Sequence, residues 1–73
     1  MEEPFDVTRC QLEIIKNLCE VGYEEAHAEQ MCPASVVTNL HELHGMSEDE
    51  IIKDITEIYT FEYNRKIYGQ EHE

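Results

Sequence analysis

Gly22, Pro33 and Gly45 divide the chain into pieces too short to be more than single elements. Proline has no amide hydrogen and its ring clashes with the preceding turn, so no helix runs through Cys32-Pro33, although proline suits the first turn of a following helix. Glycine supplies the left-handed residue on which helices end. Between these stops the apolar residues recur every three or four positions, the signature of amphipathic helices.

The first piece opens on Thr8-Arg9-Cys10-Gln11, which fits a capping box, and carries Leu12, Ile14, Ile15, Leu18, Cys19 and Val21 at helical spacing. This spacing predicts a helix over Arg9 to Val21, closed by Gly22. A short helix follows over Glu24 to Met31, with acids in its first turn where the helix dipole favours them. A third runs from Pro33 to His44, and a second capping box, Ser47-Glu48-Asp49-Glu50, starts a fourth whose apolar stripe is Ile51, Ile52, Ile55, Ile58 and Tyr59. As one helix, Glu48 to Tyr68 would span about 30 Å, more than its shorter neighbours can cover. Tyr59, Phe61 and Tyr63 alternate at period two, which is also a strand signature, but a lone strand has nothing to pair with. Met1 to Asp6 and Gln70 to Glu73 read as mobile tails. The expected fold is a single all-α domain, a small three- to four-helix bundle with a helix-turn-helix-like core and a longer C-terminal helix.

Seventeen acidic residues against five Lys plus Arg give a net charge of -12. Such a surface repels nucleic acid and anionic membranes and attracts basic partners. An apolar content of 41% within 73 residues supports one compact core and leaves little depth for an enzymatic pocket. The first residues have neither a basic start nor an apolar run, no stretch is long enough to span a membrane, and the cysteines are odd in number. A cytoplasmic, reduced protein is expected.

Val21 to Leu43 has the cadence of a helix-turn-helix, a motif whose second helix reads the major groove with Arg, Lys, Asn or Gln. Its outward positions here would be Ser35, Thr38, Asn39, His41 and Glu42, of which only Asn39 suits a base edge. No Lys or Arg occurs between Lys16 and Lys53. Since phosphate contacts supply most of the affinity for DNA, direct nucleic-acid binding is not expected. A helix-turn-helix regulator using Thr38 and Asn39 is one alternative reading, and a DNA mimic whose carboxylates occupy a nucleic-acid channel is another.

Cys19, Cys32, His41 and His44 lack the tight Cys pair of structural zinc sites, so buried cysteines are the simpler reading and no metal or cofactor is expected. No glycine-rich loop, nucleophile elbow or oxyanion feature accompanies any Cys or His, and no enzyme activity is expected. Leu18-Cys19-Glu20-Val21-Gly22-Tyr23 resembles the helix-end loop of ubiquitin-associated domains, with Val21 where that family has Met. The simpler reading of the same residues is a glycine helix stop followed by a packing tyrosine.

The C-terminal stretch interleaves Phe61, Tyr63, Ile67 and Tyr68 with Arg65 and Lys66. Tyr and Arg dominate interface energetics, so this end reads either as an interaction surface or as a helix folded back over the core. In length, acidity and tail the chain resembles the small bacteriophage-encoded regulators that bind host RNA polymerase. That resemblance implies a polymerase partner in the host cytoplasm and control of transcription. Glu24, Glu25, Glu48, Asp49 and Glu50 would steer the protein to a basic surface, and Tyr59, Phe61 and Tyr63, beside Arg65 and Lys66, would anchor it.

Overall fold

A computed structural model describes the backbone of residues 4–71 and the side chains of residues 4–67. The chain folds into four helices, α1 (Val7–Val21), α2 (Glu25–Met31), α3 (Ala34–His44) and α4 (Glu48–Glu71). The described residues contain no strand, and Tyr59 to Tyr63 lie within α4.

α1 begins two residues before the expected start. Its cap is Asp6, whose side chain accepts from the Arg9 amide at 3.1 Å, in place of Thr8. The residue before it, Phe5, is half-buried against the core and stacks on the His41 ring with centroids 3.9 Å apart. An apolar residue just before an N-cap is the staple that fixes how a chain enters a helix. So the stretch expected to be a tail is anchored at Phe5 and Asp6, while residues 1–3 and 72–73, and the Tyr68 side chain, lie outside what is described. At the other end, α4 continues through Gln70 to Glu71.

The start of α4 is the reciprocal box that its sequence encodes. The Ser47 amide donates to Glu50 Oε1 at 2.9 Å, and the Glu50 amide donates to Ser47 Oγ at 3.2 Å. Gly45, at φ 66°, closes α3 just before it, and the Met46 amide reaches back to the Leu40 carbonyl.

α1 packs closely against each of the other helices, and α3 packs against α4. α1 and α4 run parallel, in a register fixed by two polar contacts: Arg9 with Glu48 and Asn17 with Thr56, both 39 residues apart in sequence. Between them the core is made by Cys10, Ile14 and Leu18 of α1, Ala28 of α2, Cys32, Val37 of α3, and Ile51 and Ile55 of α4. Three residues of the expected stripes are exposed. Leu12 is 60% exposed, Ile58 is 50% exposed, and Cys19 lies exposed on the side of α1 away from the bundle. Burying Cys10 in this core pushes its thiol up to about 11, with nearby negative charge on Glu48 adding to the effect. Cys32 is raised for the same first reason and donates to the Ala28 carbonyl.

α4 has 24 residues, a length of about 36 Å, against about 22 Å for the 15 residues of α1. With the two aligned at their starts, the last turns of α4 run past the end of α1. Of the overhanging part, Tyr63 turns back onto Gly22, whose φ of 140° no side chain adopts easily. A Cβ there would also overlap the Tyr63 ring.

Gly22→Ala is therefore expected to lose about 1–3 kcal/mol of stability through backbone strain and displacement of Tyr63. Gly45→Ala, at an ordinary left-handed φ with open space around it, is expected to lose about 1 kcal/mol. Urea unfolding followed by circular dichroism measures both, and equal losses would show that the Tyr63 contact contributes nothing.

Candidate functional site

Two surfaces flank α4, one at each end of the molecule. The first is built on Tyr23, placed by the stop at Gly22. The amides of Gly22 and Tyr23 both bond the Leu18 carbonyl at 3.1 Å, which turns the chain sharply and aims the tyrosine at α4. Its hydroxyl donates to the Tyr59 carbonyl at 2.8 Å. Its ring meets His27, Tyr59 and Tyr63 edge-on, at centroid distances of 5.6, 6.4 and 5.2 Å. These aromatic contacts keep the phenol half-buried. Burial raises its pKa, reinforced by Glu62.

Beside this cluster a groove of about 300 Å³ is lined by Gly22, Tyr23, Glu24, His27, Tyr63, Lys66 and Ile67. It gathers Glu24, Tyr63 and Lys66, three of the residues expected to meet a partner, with Gly22 and Tyr23 of the helix-end loop and Ile67 of the C-terminal stretch. Tyr59 lies half-buried under Tyr23, so both tyrosines proposed as anchors are committed to packing against the bundle. Phe61 is different. It is 66% exposed and shares an outward face of α4 with Ile58 and Arg65.

At the opposite end, where α3 turns into α4, an open cleft of about 450 Å³ is lined by His44, Gly45, Met46, Glu50, Lys53, Asp54 and Glu57. The acids at the start of α4 have unequal freedom. Glu50 is engaged in the capping box. Glu48 accepts from Arg9 through both oxygens, at 2.9 Å to Nε and 2.8 Å to Nη2. This fork-to-fork hydrogen bonding holds the Glu48 carboxyl below the usual range; burial opposes it, and the positive charge of Arg9 adds a lesser lowering effect. Asp49, like Glu24 and Glu25, is exposed. Glu24 and Glu25 sit by the far end of α1 from Glu48 to Glu50, so the five acids form two patches about 20 Å apart.

α3 presents a surface other than the expected one. Thr38 and His41 are half-buried, and His41 is held by its stack on Phe5 and by a 3.0 Å contact between Nδ1 and the Met46 carbonyl. Val36 and the 75% exposed Leu43 face outward beside Ser35, Asn39 and Glu42. Among the described residues, no group of three or more His, Cys, Asp or Glu is arranged to hold a metal ion, and no helix is long and apolar enough to cross a membrane.

The Arg9–Glu48 contact carries a pH signature. Because the folded-state pKa of Glu48 is depressed, its stabilisation is present above the unfolded pKa and is lost as pH falls through the folded value. Glu48→Gln should cost about 0.5–1 kcal/mol near neutral pH, the scale of a partly exposed pair, and almost nothing once the pH is below the folded pKa. Urea midpoints of both proteins across that range test this, and a gap that persists in acid would mean the contact is not ionic. Comparisons with family models, with curated proteins and with solved structures return no match to this chain.

Proposed function

We propose that this protein is a binding regulator that docks on a basic protein surface through the projecting half of α4. Host RNA polymerase is the partner that the resemblance to small acidic phage regulators implies, and control of transcription is the outcome. The observation that carries the reading is Phe61, a large aromatic held 66% exposed on a helix that outruns its supporting neighbours. An aromatic of this size gains more than any other nearby side chain from entering a partner's groove.

Long-range attraction is the other half of the mechanism. A net charge of -12 speeds encounter with a basic surface and makes the rate fall with salt. Glu48 and Glu50 have tasks within the fold, so Asp49, Glu24 and Glu25 are the acids freest to steer. Tyr59 and Tyr63 serve the site indirectly, by fixing the direction in which α4 projects.

A DNA-reading role for α2 and α3 has less support. The outward side of α3 carries Val36 and Leu43, and α2 and α3 do not pack closely on one another. The DNA-mimic reading shares the acidic surface and differs in one outcome, since duplex DNA would compete for the same partner.

Affinity capture from a nuclease-treated bacterial lysate, eluted in salt steps, is expected to release RNA polymerase subunits at intermediate salt. Against the captured partner, Phe61→Ala should raise the dissociation rate about tenfold. Neutralising Asp49, Glu24 and Glu25 together should slow association severalfold at low salt and little at high salt. A lysate that yields no polymerase removes the transcription claim, and wild-type dissociation by a folded Phe61→Ala protein removes the anchor.

A further inference from the structure

The outward face of α4 carries a self-complementary order of side chains. Asp54, Ile58, Phe61 and Arg65 are all exposed, and they follow one another at steps of four, three and four residues, the spacing of a coiled-coil seam. Ile58 and Phe61 are apolar, at 50% and 66% exposure, with an acid on one side of them and a base on the other. This order is antisymmetric along the helix. When two copies are laid antiparallel about the midpoint between Tyr59 and Thr60, Ile58 of each falls opposite Phe61 of the other, and Asp54 of each falls opposite Arg65 of the other. Two apolar layers are thereby closed at both ends by opposite charges, the self-complementarity that a twofold interface requires.

The acidic cleft at the α3–α4 turn extends this match. Asp54 lies on its wall together with Glu50 and Glu57, so the second copy's Arg65 arrives at a space of about 450 Å³ edged by three carboxylates and by Lys53. Arg65 has no ion-pair partner among the described residues of its own chain. From the antisymmetric seam and this cleft we infer that the protein forms an antiparallel dimer through α4, with Ile58 and Phe61 at its centre and reciprocal Asp54–Arg65 pairs at its edges.

The inference goes beyond the regulator reading and bears on it, because Phe61 cannot enter a second copy and another protein at once. Two or three helical turns from each chain bury less than about 1,200 Å², an area typical of weak, reversible association. Dissociation in the micromolar range is expected, within reach of regulation by a competing partner.

Sedimentation equilibrium of the purified full chain, from micromolar to millimolar concentration, tests this without any partner. The average mass should climb from 8.6 kDa toward twice that value. Phe61→Ser and Arg65→Asp should each weaken association tenfold or more with unchanged circular dichroism. Arg65→Asp combined with Asp54→Arg should restore it to within about threefold of wild type, since the swap reverses both members of each pair. A chain that stays at the monomer mass, or variants that associate as wild type does, would overturn the dimer. A charge-swapped protein as weak as Arg65→Asp alone would overturn the antiparallel register.

Discussion

The parallel pairing of α1 with α4 is the constraint from which the other elements follow. Two helices that point the same way cannot be joined by a tight turn, because the chain must first travel back along the whole length of the first. Here that return is made by α2, the Cys32-Pro33 break and α3. Arg9–Glu48 and Asn17–Thr56 set the register at one end and along the middle, and the Tyr23 hydroxyl on the Tyr59 carbonyl sets it at the other. Gly22 is needed because the turn that aims Tyr23 at α4 occupies backbone space closed to residues with a side chain, and because Tyr63 fills the room that a side chain would take.

With a core this small, the contacts at helix ends matter as well. Several of the acids that make the surface so negative are also the groups that satisfy orphan amides or anchor an arginine: Asp6 at α1, Glu50 at α4, Glu48 on Arg9. The same carboxylates thus have a local structural use and contribute to the long-range field. Charge at a first turn costs little to keep there, because the helix dipole offsets part of the repulsion. This is how a chain with a net charge of -12 accumulates acids without unfolding itself.

The signals that were plainly legible in the sequence are those with local chemistry. Ser47 and Glu50 stand at the spacing at which their side chains and amides must meet, and Gly22 and Gly45 stand where helices must stop. The cap of α1 was obscured by two competing signals: Thr8 with Gln11 mimics a capping box, while Phe5-Asp6 is a staple and cap recognisable only once the Phe5 partner, His41, is known. Periodicity also overstated the core. Leu12, Cys19 and Ile58 keep helical spacing, but each helix of so small a bundle has neighbours over only part of its circumference. The alternation of Tyr59, Phe61 and Tyr63 has different consequences in the two structures. A strand would line all three on one face, whereas a step of two residues turns a helix by about 200°, so α4 puts the tyrosines on one side and the phenylalanine on the other.

That alternation is also what divides the labour on α4. The inward tyrosines hold the helix against Gly22 and Tyr23, which stiffens the base of the overhang and fixes the direction in which it leaves the bundle. The outward phenylalanine is then presented on a supported rod, at little further cost in conformational entropy to whatever binds it. An isolated helix end of two or three turns would fray in water, so an exposed aromatic there would be a poor anchor without the tyrosines behind it. Support and presentation are therefore one arrangement. If copies of the chain and a second protein both draw on the Ile58–Phe61 face, the strength of self-association sets how much of that face is free. The concentration of the protein then becomes a regulator of its own activity by mass action alone.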